Sequence, residues 1–197
     1  MMGSGRWLHW RDRPDRKETQ AVRSLGRGFV LVLVGAFLLG AYKTNGPGAR
    51  ARDTLASPTR TDTVVKAHRN PTLPKLTSVR TSRHGLYDRV VFTFAGPLPA
   101  SRTGYVRNVR PAGSDKPVPL DGYADLQVSF DALSRDRSGR LTWPGPASIH
   151  PRYPSLRQVT LATGGEQTVF GVGVDHRVGF RVIEVDKPSR IAIDLAS

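Results

Sequence analysis

The residues best suited to ligand binding fall in one stretch without regular periodicity, residues 134–156. It contains Trp143 and Tyr153, whose rings can stack on sugar faces, and Arg152, whose guanidinium can pair with a carboxylate or phosphate. Loops of this length in a compact domain tend to be functional or disordered. The alternative is that both rings pack against the loop's own sheet, as aromatic side chains usually do.

A second candidate set consists of His84, Asp88 and Arg89, which lie at a turn and at the start of an apolar strand pattern. These side chains can form a polar cluster that binds a ligand. The alternative is that Asp88 and Arg89 pair with neighbours, because surface ion pairs are common, and that His84 is a turn residue.

Residues for catalysis or cofactor binding are hard to find in this chain. There is no cysteine, which excludes thiolate ligands and thiol nucleophiles. No nucleophile elbow, P-loop, zincin helix or metal-binding carboxylate loop occurs, so we expect no cofactor and no metal. Gly171 and Gly173 lie within a strand pattern that no helix follows, which favours close backbone packing over phosphate binding.

The elements that must position these residues are strands. From residue 75 onward apolar and polar residues alternate, most clearly at Leu126, Val128 and Phe130, and no segment shows sustained helical periodicity. This pattern predicts an all-β fold, a small antiparallel sandwich or barrel of about eight strands. The predicted strands are residues 76–81, 86–95, 105–109, 126–132, 159–161, 170–174, 178–185 and 191–195.

The N-terminal part has a different character. Residues 1–27 are basic, and residues 28–42, GFVLVLVGAFLLGAY, are uncharged and apolar, which is typical of a signal sequence or an uncleaved signal anchor. We expect a membrane-spanning anchor helix at 28–42, with secretion after cleavage as the alternative. Residues 43–74 contain few large apolar residues and are predicted to be a disordered tether before the β domain, residues 75–197.

Charge narrows the class of partner. The net charge is +14, of which +8 lies in residues 1–74 and +6 in residues 75–197. In the second part Lys and Arg are mixed with Asp and Glu, as on an ordinary solvated surface, and no recognition motif for nucleic acid occurs. We therefore expect no nucleic-acid partner.

The strand patterns resemble a known family. Residues 83–94, RHGLYDRVVFTF, resemble the opening of the AMIN-like domain of actinobacterial cell-envelope proteins. Further matches, in the same order along the chain, are YVR at 105–107, PVPL at 117–120, GVGVD at 171–175, FRV at 180–182 and PSRIAIDL at 188–195. The resemblance covers about residues 75–197. It implies a relation to AMIN domains, which are β-rich modules that place wall hydrolases and secretion proteins in the envelope.

The resemblance and the predicted anchor together imply a non-catalytic module that binds wall polymer or an envelope protein near the membrane. The β domain is then extracytoplasmic, either in a single-pass membrane protein or in a secreted one. The alternative function is an enzyme acting on wall polymer, with its acid and base drawn from Asp88, Asp175, His150 or His176.

Overall fold

The computed structural model describes residues 55–111 and 113–197, and in that part the chain forms ten strands and no helix. The strands are β1 (Val64–Lys66), β2 (Lys75–Arg83), β3 (Tyr87–Ala95), β4 (Ser101–Val106), β5 (Ala124–Asp131), β6 (Ser148–Ile149), β7 (Leu156–Thr163), β8 (Gln167–Val174), β9 (Phe180–Asp186) and β10 (Ser189–Ala196). No helix in these residues is long and apolar enough to cross a membrane. The predicted anchor, residues 28–42, and the basic segment 1–27 lie outside the described residues.

The strands form two antiparallel sheets. One has four strands in the order β2-β3-β10-β9, and the other has six in the order β1-β4-β5-β8-β7-β6. β10 therefore lies between β3 and β9, although it is the last strand in sequence. The prediction of an all-β antiparallel fold is confirmed for the described residues.

The core lies between the two sheets, and alternation along the strands fills it. Phe92 of the four-stranded sheet contacts Phe130 and Phe170 of the six-stranded sheet, with 4.9 Å between ring centroids in each pair. All three rings are buried. Because burying one such side chain stabilises a fold by about 1.5–3 kcal/mol, this inter-sheet contact is a main source of stability.

Each of the eight predicted strands overlaps an observed one, but three details differ. β3 begins at Tyr87, and Leu86 is exposed in the turn before it, so Leu86 does not share the buried face of Val90. β4 ends at Val106, and Val109 is buried in a loop where its N–H bonds the carboxylate of Asp125. β1 and β6, of three and two residues, are too short to show a period.

The predicted tether also differs from the structure at its C-terminal end. Residues 64–66 form β1, which pairs with β4 from Val64↔Thr103 to Lys66↔Ser101. Arg60, also within the predicted tether, forms an isolated antiparallel β-bridge to Phe180 of β9. Main-chain hydrogen bonds order this polar stretch without much apolar burial, and composition alone does not reveal them.

The two glycines of β8 allow another part of the chain to lie across the six-stranded sheet. They face away from the core, and a Cβ on Gly171 would press on Leu120, whereas one on Gly173 would overlap the carbonyl oxygen of Asp121. The connection between β4 and β5 can thus cover this face only because both positions lack side chains. The expectation of close backbone packing at these glycines is met.

Candidate functional site

Asp88 joins the two regions that contain the candidate residues. It is fully buried at the start of β3, and its Oδ2 accepts the backbone N–H groups of Ser155, at 2.8 Å, and Leu156, at 3.1 Å. Its Oδ1 is buried without a hydrogen-bond partner among the described residues. Asp88 therefore fixes the end of the long 134–156 loop against the four-stranded sheet.

Arg89 points to the opposite face of β3 from Asp88. It donates to both oxygens of the buried Asp194, at 2.6 and 3.0 Å, and Arg181 donates to Oδ2 of the same carboxylate at 2.6 and 3.2 Å. Arg89, Asp194 and Arg181 lie side by side on β3, β10 and β9 because their strands pair in this register. Such charge-assisted contacts orient the two guanidinium groups.

His84 belongs to this outer face as well. Its ring stacks on Tyr87 with 4.6 Å between centroids, and its Nε2 lies 3.1 Å from the hydroxyl of Ser82. The guanidinium groups of Arg89 and Arg181 lie 4.9 and 5.5 Å from the centroid of the same tyrosine ring. The structure thus brings His84 and Arg89 together around Tyr87 and leaves Asp88 on the other face.

Trp143 lies in the core rather than on the surface of the long loop. It is 5 % exposed, and its ring centroid is 6.0 Å from that of Phe170. The hydroxyl of Thr142 donates to the carbonyl of Leu76 at 2.5 Å, which ties this part of the loop to β2. The Trp143 ring therefore packs against the sheets of its own domain, which is the alternative to ligand contact stated for it from the sequence.

Arg152 and Tyr153 lie at one end of the sandwich, in the turn before β7. Arg152 is exposed and has a φ of +53°, a left-handed conformation that is uncommon for a residue other than glycine. Tyr153 is half-buried and packs against the core, and its N–H bonds the carbonyl of Leu156 at 3.0 Å. Only part of its ring is available to a ligand.

Tyr123 is the most exposed large hydrophobic residue of the described part of the chain, and no sequence pattern singled it out. It is 93 % exposed, and its N–H bonds the carbonyl of Val174 at the end of β8. Gly122, with a φ of +110°, allows the turn to approach that carbonyl, where a Cβ would overlap it. The available signal was the Asp-Gly-Tyr turn directly before the cleanest predicted strand.

The surface formed by Tyr123, His150, Arg152 and Tyr153 is called the loop end below. Nε2 of His150 lies 3.7 Å from the carboxylate of Asp121, next to the Tyr123 turn. Asp175 follows β8 and bonds the carbonyl of Ser155 through its N–H at 2.9 Å. The loop end therefore presents aromatic rings, a guanidinium and an imidazole on turns that the two sheets hold in place.

Asp175 is held ionised beside this surface. The Arg157 guanidinium donates to its Oδ1 at 2.6 Å and lowers its pKa, and the contact with His176 lowers the pKa further. A lowered pKa means that the carboxylate keeps its charge to a lower pH than an isolated aspartate.

Replacing Arg157 with leucine is expected to raise the pKa of Asp175, because the strongest hydrogen bond to the ionised form is lost. Carboxyl-carbon NMR titration of the variant measures the shift directly. The Arg137→Leu variant, changed at an exposed position in the turn between Arg135 and Leu141, is the matched control. Equal pKa values of Asp175 in the two variants would show that Arg157 does not set it.

The acid and base residues proposed from the sequence differ in their exposure and in their partners. Asp88 is fully buried, whereas His176 is exposed and contacts Asp175 through Nδ1 at 3.2 Å. His150 contacts Asp121 instead. Within residues 55–111 and 113–197 no three His, Asp or Glu side chains converge in a way that could hold a metal ion.

Comparison with known proteins identifies a family. The model of the AMIN-like domain matches residues 74–197, which is more than half of the chain and agrees with the region that the strand patterns cover. No curated protein and no solved structure matches at the level of significance required. The ten-stranded sandwich with its loop end is therefore built by a chain that belongs to the AMIN-like domain family.

Proposed function

We propose that this AMIN-like domain is a non-catalytic binding module of the cell envelope, and that it holds wall polymer through its loop end. The observation that carries the proposal is Tyr123, a large ring that is 93 % exposed on a turn fixed by a main-chain hydrogen bond. An exposed aromatic ring on a fixed turn is typical of a contact surface, since aromatic rings are enriched where partners bind.

The chemistry of the loop end fits a polymer of sugars and peptides. A phenol ring can cover the apolar face of a sugar while its hydroxyl stays in contact with water. Arg152 is exposed nearby and can pair with a peptide carboxylate, and the imidazole of His150 adds a hydrogen-bonding group. Trp143 is buried in the core, so it does not contact the ligand in this proposal.

Membership of the AMIN-like family supports a location in the envelope, outside the cytoplasm. The proposed topology is a single-pass membrane protein whose residues 28–42 anchor it, with secretion as the outcome if the signal is cleaved. An envelope protein near the membrane remains the second partner within this proposal, because the same exposed ring and cations also suit a protein surface.

Co-sedimentation of residues 55–197 with purified wall sacculi tests the proposal, at low and at high salt. We expect the wild-type domain to sediment at both, because ring stacking is not screened by ions. Tyr123→Ala is expected to weaken binding about tenfold, a loss of about 1.4 kcal/mol.

Two control variants make the result specific. Tyr123→Phe keeps the ring and is expected to retain most of the binding. Leu86→Ala removes another exposed apolar side chain, 52 % exposed in the β2–β3 turn, and is expected to bind like the wild type. If the wild type does not sediment with sacculi, the partner is a protein instead of wall polymer. If Tyr123→Ala and Leu86→Ala lose binding equally, the loop end is not the surface that binds the wall.

A further inference from the structure

A cavity of about 320 Å³ lies at a different place, where residues 57–60, β1 and the start of β9 meet. Three of its lining residues are cationic, namely Arg60, Lys66 and Arg181, and none is acidic. Each cation comes from a different segment of the chain. Such convergence of positive side chains around a concave surface is a common way to bind an anion.

The backbone that forms the wall of the cavity is held in place, and so is Arg181. The N–H of Phe180 bonds the carbonyl of Arg60 at 2.6 Å, which fixes the 57–60 segment beside β9. Gly179 allows this approach, since a Cβ there would overlap the carbonyl oxygen of Pro58. One Nη1 hydrogen of Arg181 is donated to the carbonyl of Ala56 at 2.9 Å, so the guanidinium is held from the same side.

Arg181 retains donor capacity in this position. Its contacts to Asp194 and Ala56 use three of its N–H groups, and a guanidinium has five. The other two have no partner among the described residues, although the side chain is only 28 % exposed. A partly buried cation with unused donors favours an acceptor group on a ligand.

Arg60 and Lys66 are available to the same ligand. Arg60 pairs with Asp62 at 3.3 Å and Lys66 with Glu184 at 3.6 Å, and neither carboxylate lines the cavity. Both cations are substantially exposed, at 59 and 39 %. Exposed pairs of this kind contribute only about 0–1 kcal/mol, so a ligand anion can compete for them.

We propose that this cavity binds the phosphate group of a phosphate ester. Three cations from separate segments match the tetrahedral arrangement of oxygens around phosphorus better than the two coplanar oxygens of a carboxylate. The volume exceeds that of a bare phosphate, and the side chains of Val64 and Val182 supply apolar surface for the carbons of the ester. The ester can be a lipid headgroup or a soluble phosphodiester, since both present the same chemistry.

The test uses the full chain in an uncharged detergent and glycerophosphoglycerol as a soluble phosphodiester, with binding measured by ligand-observed NMR. The variant Arg60→Gln/Lys66→Gln removes two cations from the cavity and leaves the Arg181–Asp194 contact intact. The control Arg137→Gln/Arg140→Gln removes the same charge from exposed positions that do not line the cavity. We expect binding at least tenfold weaker in the cavity variant and close to wild type in the control.

A second arm identifies the source of the phosphate. The full chain is placed in nanodiscs of phosphatidylcholine, with or without phosphatidylglycerol, and its unfolding temperature is measured. A rise with phosphatidylglycerol that the cavity variant lacks supports a lipid headgroup, and no rise together with binding in solution supports a soluble ester. The proposal is overturned if the wild type does not bind glycerophosphoglycerol, or if both variants lose binding equally.

The cavity proposal does not depend on the proposed function. Tyr123 does not line the cavity, so Tyr123→Ala is expected to bind glycerophosphoglycerol like the wild type. Loss of sacculus binding in Tyr123→Ala and loss of phosphodiester binding in the cavity variant can therefore be observed separately.

Discussion

A chain that ends at Lys187 is expected to show no cooperative unfolding transition. The truncation deletes β10, which pairs with β3 along one edge and with β9 along the other, so it divides the four-stranded sheet. It also removes Ile191, Ile193 and Leu195, which are fully buried. Each contributes about 1.5–3 kcal/mol by burial, and a domain of this size has only about 5–15 kcal/mol of net stability.

Circular dichroism during thermal unfolding measures this effect. The control is a chain that ends at Ala196, which keeps all of β10 and lacks only the exposed Ser197. We expect the control to unfold cooperatively and the shorter chain to give a broad, sloping signal. A cooperative transition in the chain that ends at Lys187 would contradict the central place of β10 in the fold.

Replacing Trp143 with alanine is expected to lower the free energy of unfolding by about 3–5 kcal/mol, as for other buried large-to-small changes. The ring is 5 % exposed and packs against Phe170, so its removal leaves a cavity between the sheets. Its Nε1 is buried without a partner among the described residues. Trp143→Phe removes that unpaired N–H and keeps a ring, so we expect a smaller loss than for alanine.

Urea unfolding followed by fluorescence and circular dichroism gives the free energies. The matched control is Tyr123→Ala, which truncates an aromatic residue that is 93 % exposed and is expected to change stability by less than about 0.5 kcal/mol. The two variants thus separate a packing role from a binding role. Trp143→Ala with near wild-type stability and lost wall binding would instead make Trp143 a ligand contact.

Strand positions are predictable wherever one face of a strand is buried. At Leu126, Val128 and Phe130 the apolar residues alternate with polar ones, and β5 is found there. The period is less informative at strand ends, where Leu86 continues the apolar pattern yet lies in a turn and is 52 % exposed. A turn can reverse the direction of a side chain without changing the sequence pattern.

The polar contacts of the candidate site depend on the pairing of strands that are far apart in sequence. Arg89 and Asp194 are 105 residues apart, and they meet because β3 and β10 are neighbours in this register. Asp88 reaches Ser155 across 67 residues for a similar reason. Asp88 and Arg89 are candidates from the sequence, and strand alternation places them on opposite faces, but their partners follow only from the pairing of distant segments.

The exposure of the Tyr123 side chain also could not be predicted from the sequence. Tyrosine is found both in cores and on surfaces, and the choice here depends on a turn that directs the ring away from the sheets. The converse holds for Trp143, which lies in a stretch rich in Pro and Arg yet is buried. Aromatic residues in long loops are therefore ambiguous until the contacts of the loop are known.

The most direct test of the proposed binding module is an NMR titration of isotope-labelled residues 55–197 with soluble wall fragments. We predict concentration-dependent changes in the amide signals of residues 121–123, 150, 152 and 153, with little change at the 135–141 turn. Binding that leaves the loop-end signals unchanged, or no binding at concentrations that saturate sacculi, would contradict the account.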